Sequence, residues 1–293
     1  MADSSDFLDI SGIHSIERPT NLDGGRYPIL QGISPLNLRI LNNASRVMNI
    51  SKGVEILHEG DAPHDLYFIE SGKLTIAKRV GGQLKVLGTL MPGSVFGEYG
   101  SLRQKSRYAS VYTADPSKVI RVDLVAVQQV LDADAGFRER IHGLLNRRLI
   151  DNVLSGHPVF QRLDSSERDM LSQDLHTHFY ERGAEIFLQG GTPRGIQMII
   201  SGEVEVRYRT AAKGDLLLEI RRDNDLIGEV AVNNGTSLAY SAIAASDADL
   251  LTLDDKSMEL LRSRHRATAQ LLEQFIAARS EKSVARIRES QSS

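Results

Sequence analysis

Phe96-Gly97-Glu98-Tyr99-Gly100-Ser101-Leu102, closed soon after by Arg107-Tyr108-Ala109-Ser110-Val111, is the stretch on which the rest of the chain is read. A glycine turn followed by a short helical start presents backbone N–H groups with no partner inside the helix, at the positive end of its dipole. Arg107 adds a forked, permanently charged donor that suits phosphate oxygens. Glu98 would repel a phosphate, so beside Arg107 it makes sense as the acceptor of hydroxyl groups on the same ligand. On residue chemistry alone two readings stand. One is a sugar phosphate held by Glu98 and Arg107; the other is a Glu98–Arg107 salt bridge at the corner of a barrel.

Working outward, the surroundings of this stretch occur twice. Lys52-Gly53-Val54-Glu55-Ile56-Leu57-His58-Glu59-Gly60 matches Arg182-Gly183-Ala184-Glu185-Ile186-Phe187-Leu188-Gln189-Gly190, and Ile69-Glu70-Ser71-Gly72 matches Ile199-Ile200-Ser201-Gly202. The spacing is 130 residues in both cases, and 131 from Gly97-Glu98 to Gly228-Glu229. A fixed period over such a length means two copies of one domain. Inside each copy, short apolar runs are punctuated by glycine. Ser71-Gly72, between Leu66-Tyr67-Phe68-Ile69 and Leu74-Thr75-Ile76, predicts a tight hairpin; Gly81-Gly82 and Pro92-Gly93 predict further turns. Asn224 stands where Gly93 stands in copy one and is expected to adopt the left-handed conformation. The fold expected is mainly β, two tandem jelly-roll barrels with flanking helices.

Helix signals surround each barrel. Ser34 and Pro35 open an entry helix running to Asn43. Residues 124–154 read as one helix, with Ile141, Leu144, Leu145, Leu149 and Val153 at helical spacing, ended by Gly156-His157-Pro158. Copy two opens on the capping box Asp164-Ser165-Ser166-Glu167, and residues 255 to about 287 read as a further helix carrying a basic face.

The bulk numbers narrow the function. A length of 293 residues suits two domains, and 41% hydrophobic with 25% charged residues indicates a globular chain. A net charge of −3 argues against a strongly basic nucleic-acid module. Without cysteine there is no disulfide, thiolate metal site or cysteine nucleophile. No apolar run is long enough to span a membrane, and the acidic start Met1-Ala2-Asp3-Ser4-Ser5-Asp6 lacks a signal-peptide pattern, so a cytoplasmic location is expected. His176-Thr177-His178 places two imidazoles on one strand face with no third ligand, so no metal is expected. No P-loop, Gly-x-Ser-x-Gly or kinase signature occurs, which points to a protein that is not an enzyme and uses no cofactor.

Residues 28–152 and 157–280 each resemble a cyclic nucleotide-binding domain, the family of protein kinase A regulatory subunits, cyclic nucleotide-gated channels and bacterial catabolite activator proteins. The resemblance rests on Gly97-Glu98-Tyr99-Gly100, on Arg107-Tyr108-Ala109-Ser110-Val111, and on the turn glycines Gly53, Gly60, Gly72 and Gly93. It leaves an N-terminal arm, 1–27, and a C-terminal tail, 281–293. It implies that Glu98 takes the ribose 2′-hydroxyl, that Arg107 holds the cyclic phosphate with the N–H groups of Gly97 and Tyr108, and that the helix of Ile141 to Leu154, the C-terminal lid helix of copy one, covers the base. Tyr99, Gly100 and Ala109 complete that site. Threonine after the arginine accompanies guanine preference in the family, so Tyr108 favours cAMP over cGMP. Copy two keeps Gly228-Glu229-Val230-Ala231 but has Leu238-Ala239 where copy one has Arg107-Tyr108, so it is expected to be a degenerate site.

The function this implies is a cyclic nucleotide-responsive regulatory or adaptor protein, acting through copy one on an unidentified protein partner. The alternatives are a ligand-independent scaffold and a kinase-type regulatory subunit. The last carries an Arg-Arg-x pseudosubstrate in the family, whereas residues 1–27 hold only Arg18 and Arg26, far apart. A DNA partner is not expected, since no recognition helix follows copy two. The apolar stripe of residues 141–154 serves either internal packing or a homodimer.

Overall fold

In the computed structural model, which describes residues 12–16, 20–62, 65–80, 82–103, 107–160 and 162–292, the chain falls into two units, Met1–Leu145 and Asn146–Ser293. The first holds β1 (Ile13–Ile16), α1 (Pro35–Asn43), β2 (Ser45–Ile50), β3 (Glu55–Leu57), β4 (Leu66–Ser71), β5 (Leu74–Val80), β6 (Gln83–Leu90), β7 (Val95–Phe96), α2 (Glu98–Arg103), β8 (Ser110–Thr113), β9 (Ser117–Val122) and α3 (Leu124–Ala133). Helix α4 (Ala135–Gly156) contains the division between the units. The second holds α5 (Ser165–Ser172), β10 (His176–Tyr180), β11 (Glu185–Phe187), β12 (Ile196–Ser201), β13 (Val204–Thr210), β14 (Gly214–Arg221), β15 (Leu226–Ile227), α6 (Glu229–Asn234), β16 (Ser241–Ala244), β17 (Ala248–Leu253), α7 (Asp255–Arg264) and α8 (Arg266–Ser292).

Each unit is a pair of antiparallel sheets with the same strand order. In the first the orders are β1-β2-β9-β4-β7 and β3-β8-β5-β6; in the second they are β10-β17-β12-β15 and β11-β16-β13-β14. Strand for strand these match, apart from the added β1, which pairs with β2 from Ile13↔Ile50 to Ile16↔Val47. The core lies between the sheets: Ile69 and Val119 of one pack with Leu74 and Val111 of the other, all buried. Alternation along the strands supplies these residues, since successive side chains point to opposite faces. The two tandem jelly-roll domains with flanking helices expected from the repeat are thus present, each as a two-sheet sandwich, but with long helices such as α4 and α8 the content is mixed helix and strand rather than mainly β.

Several local expectations are corrected. Ser71-Gly72 is not a hairpin, because β4 and β5 belong to different sheets. Gly72, at φ +89°, turns the chain from one sheet to the other, and a Cβ there would lie 2.6 Å from the Cα of Ser117. The hairpin is instead β5–β6, paired from Leu74↔Leu90 to Val80↔Gln83. The helix read over 124–154 is two helices, broken where the Asp134 carboxylate accepts the Phe137 N–H at 2.8 Å. The last helix breaks likewise at His265, and α8 runs on to Ser292 through the stretch read as a tail. Residues 20–27, counted with the N-terminal arm, contribute Leu22 and Tyr27, both fully buried, and Tyr27 sits edge-on to Phe68 at 5.0 Å. The remainder of that arm, 1–11 and 17–19, lies outside the described residues.

Other expectations are met. Ser34 caps α1 by accepting the Asn37 N–H, with Pro35 in its first turn. Asp164 and Glu167 form the capping box of α5. Asn224, at φ +68°, is the one non-glycine residue in the left-handed region among the described residues. No helix among the described residues is long and apolar enough to cross a membrane.

Candidate functional site

Strand β7 ends at Phe96, which stacks on Tyr67 with ring centres 4.8 Å apart and fixes where Gly97 emerges. Gly97 has φ +91°, and a Cβ there would lie 2.7 Å from the Asp65 carbonyl oxygen and 3.0 Å from Nη1 of Arg107. Only glycine lets the backbone approach the guanidinium this closely. Arg107 returns to the same place by a ladder-like anchor: its N–H donates to the Asp61 carbonyl and its carbonyl accepts the Gly60 N–H, at 2.8 and 2.9 Å.

The Arg107 side chain is 4% exposed. Its Nη1 donates to the Gly97 carbonyl at 3.0 Å and its Nη2 to the Asp65 carbonyl at 3.1 Å. Both acceptors are neutral. The Asp65 carboxylate is taken up by Arg121. Burial draws the Arg107 pKa below the ordinary arginine value, against the pull of Tyr67, Asp65 and Glu98. The same surroundings push the Tyr67 phenol up to about 12, chiefly by burial. Glu98 opens α2 and is also buried. Thus copy one brings Gly97, Glu98 and Arg107 together, but Arg107 bonds to two backbone carbonyls and not to the Glu98 carboxylate.

Tyr99 and Tyr108, the residues after Glu98 and Arg107, meet with ring centres 5.2 Å apart, and Nζ of Lys78 lies 4.0 Å over the Tyr108 ring. Gly100 and Ala109 are buried small residues beside them.

Copy two repeats the backbone and changes the side chains. The Gly190 N–H donates to the Leu238 carbonyl as that of Gly60 does to Arg107, and Gln189 N–H donates to Ser241 Oγ as Glu59 N–H does to Ser110 Oγ. Leu238 therefore holds the place of Arg107, Ala239 that of Tyr108, and Tyr240 that of Ala109. On the ladder, Arg221 stands opposite Val204 as Leu90 stands opposite Leu74. Arg221 sends its guanidinium to Glu229: Nη1 lies 2.9 Å from Oε2, and neither side chain has exposed surface. So the Glu–Arg salt bridge that competed as a reading of copy one exists in copy two, made by a different arginine.

Three further groups close on the pair. The Tyr240 hydroxyl donates to Oε2 of Glu229 at 2.5 Å, and it accepts from Gly228 N–H and from Arg221 Nη1 at 2.9 Å each. Ser283 of α8 donates to Oε1 of Glu229 and accepts from Arg221 Nη2, both at 2.6 Å. Glu219 lies 2.8 Å from Arg221 Nη2. Burial opposes the charge on Arg221, but Tyr240, Glu229 and Glu219 more than offset it and hold its pKa above the ordinary value. Tyr240 is held protonated, its pKa pushed well up mainly by burial. Arg279 of α8 grips Asp225 through Nε and Nη2 at 2.7 and 2.8 Å.

The sequence reading missed Arg221, Tyr240 and Ser283. Arg221 closes an ordinary strand, and Ser283 stands 54 residues after Glu229, so neither carries a local signal. Tyr240 had one: a bulky polar residue where copy one has alanine, within an otherwise matching segment. His176 and His178 lie on β10, and no group of three or more metal-ligating side chains occurs among the described residues.

The comparisons with known proteins agree with this doubling. The cyclic nucleotide-binding domain family matches residues 47–134 and 177–265. The cAMP-dependent protein kinase regulatory subunit of Pyricularia oryzae is 24% identical over 220 residues, covering 72% of this chain and 54% of that protein. The subunit of the same description from Hypocrea atroviridis is 26% identical over 220 residues, covering 72% of this chain and 45% of that protein. The chain thus spans about half the length of these curated relatives. A structure of the regulatory domain of Toxoplasma gondii PKA with cAMP aligns at 21% identity over 87% of this chain and 97% of that one, with a TM-score of 0.39. Matched in both barrels and over more than half its length, the chain belongs to the cyclic nucleotide-binding domain family and carries two such domains in tandem.

Proposed function

We propose that this chain is a cyclic nucleotide-responsive regulatory protein whose first domain binds the ligand and whose second does not. The observation that carries this is Arg107, a buried guanidinium whose hydrogen bonds go to two neutral carbonyls. A charge withdrawn from water needs a counter-charge. An arginine has five N–H donors and this one uses two of them on the backbone, which leaves capacity for a singly charged cyclic phosphate. Gly97 and Tyr108 would add backbone N–H groups, and Glu98 would accept the ribose hydroxyl. Tyr99 and Tyr108, whose rings meet 5.2 Å apart, would flank the ligand, beside the small buried residues Gly100 and Ala109. Tyr108 offers no threonine-like hydroxyl to a guanine, which favours cAMP over cGMP. The chemistry is recognition and release, with no bond made or broken.

The relatives support a kinase partner. They are described as regulatory subunits of cAMP-dependent protein kinase, which favours a kinase catalytic chain over an unrelated target. Ligand would shift the chain between two arrangements only to the extent that it binds them unequally.

Calorimetric titration of nucleotide-stripped protein with cAMP and cGMP tests the reading. One equivalent of micromolar or tighter binding, lost in Arg107→Ala, is expected. No heat and no thermal stabilisation with either nucleotide would leave a ligand-independent scaffold.

A further inference from the structure

We infer that the second domain carries its own occupant: Tyr240 and Ser283 take up the groups that a nucleotide would use, so that α8 is fixed over this pocket at every nucleotide concentration. The inference does not depend on what the first domain binds. It rests on the donors and acceptors around Glu229. A pocket that accepts a sugar phosphate must offer a carboxylate to hydroxyls and backbone N–H groups to an anion. Here Oε1 of Glu229 receives Ser283, Oε2 receives Arg221 and Tyr240, and the Gly228 N–H is donated to Tyr240. Each hydroxyl is itself satisfied. Tyr240 gives its single proton to Glu229 and accepts twice; Ser283 gives its proton to Glu229 and accepts from Arg221. A network in which every member is paired, and which has no exposed member, has nothing to offer an incoming ligand.

Comparison of the two copies shows that this arrangement requires specific side chains. At the matched positions the first domain has Ala109 for Tyr240 and Leu90 for Arg221. Neither can reach across the pocket with a polar atom. The second domain also lacks the loop arginine, and its positive charge comes from the β14 end of the barrel, 8 residues before Glu229 in the chain. The remainder of α8 is held by the same neighbourhood. Arg279 pairs with Asp225 and Glu219, and Val284 and Ile287 pack on the barrel core. The helix is therefore docked by a hydroxyl at its centre, an ion pair one turn before it and an apolar face beyond it.

Hydrogen exchange of the full chain, stripped of nucleotide, tests this. Amides of residues 279–287 are expected to exchange slowly with no ligand present, and millimolar cAMP, cGMP or guanosine should leave their rates unchanged. Tyr240→Phe combined with Ser283→Ala should speed exchange of that segment at least about tenfold, with no change in the first unit. Ser283→Ala alone, which disturbs no charged side chain by substitution, gives the same direction of change if the double variant fails to fold. Fast exchange of 279–287 in the ligand-free protein, slowing by any of the three ligands, or unchanged rates in Ser283→Ala would each overturn the inference. Failure of cAMP to bind the first domain would overturn the proposed function while leaving these rates slow.

Discussion

The Tyr240 hydroxyl accepts the backbone N–H of Gly228 at 2.9 Å. Its counterpart in the first domain, Ala109, has only a methyl group to present to the matching turn. Among the exchanges between two domains whose strands run in the same order are Arg107 against Leu238, Ala109 against Tyr240 and Leu90 against Arg221. Together they move the positive charge from a loop to the end of a strand and bring a phenol into the space between.

Arg107→Ala is expected to weaken cAMP binding at least tenfold, about 1.4 kcal/mol, since charge-assisted hydrogen bonds are the strong ones. Gly97→Ala should have a similar effect by a different route. Its Cβ would lie 2.7 Å from the Asp65 oxygen and 3.0 Å from Arg107 Nη1, so the guanidinium must move. Calorimetry on both variants checks this; undiminished affinity in either would remove that residue from the site.

Glu229→Leu leaves Arg221 in the protein interior with Glu219 as its remaining carboxylate partner. Breaking one side of a buried pair costs about 3–5 kcal/mol, whereas replacing both sides by apolar groups costs much less. Urea unfolding of Glu229→Leu, Arg221→Leu and the double variant should therefore show large single losses and a smaller combined one. Additive losses would mean that the pair is not coupled.

His157 is buried against Phe160 and Phe275, and burial lowers its pKa below the ordinary histidine value near 6.5. The folded state thus resists taking up a proton that the unfolded chain accepts. Stability is full above pH 6.5 and falls as the pH drops below it towards the lowered folded value. Unfolding midpoints between pH 7.5 and 5.5 should decline less in His157→Gln than in the unaltered chain; equal slopes would assign the effect to other groups.

Asn224 holds φ +68° in the turn between β14 and β15. Asn224→Ala is expected to cost about 1 kcal/mol and Asn224→Gly to be close to neutral, because alanine is strained in that conformation and glycine is not. Denaturant midpoints of the two variants report the difference directly.

How far the sequence carries depends on whether a feature is local. The cap at Ser34 and the capping box at Asp164 are each written in a few adjacent residues, the repeat and the left-handed Asn224 in short stretches that match at a fixed spacing, and each is found in the structure. The Ser71-Gly72 turn was misread because a glycine at positive φ serves a corner between sheets as well as a hairpin, and only the strand pairing distinguishes them. Leu22 and Tyr27 were overlooked because two isolated apolar residues in a polar stretch show no period, although both are core. The grouping of Gly97, Glu98 and Arg107 was legible because the three lie within a short stretch of sequence, from the turn into α2 to the residues just before β8. The Arg221–Glu229–Tyr240–Ser283 network joins the end of a strand, the start of α6, the residue before β16 and a distant helix, and no spacing rule connects them.

An occupant joined to the chain cannot be diluted. A free ligand stabilises a protein by an amount that grows with the logarithm of its concentration, which is what lets a pocket report on the state of a cell. Ser283 and Tyr240 have an effective concentration set by the polypeptide alone, the same in every cell and at every moment. On the proposed reading, the second domain is in thermodynamic terms a gauge with its needle fixed, and any change in the chain's response to nucleotide originates in the first.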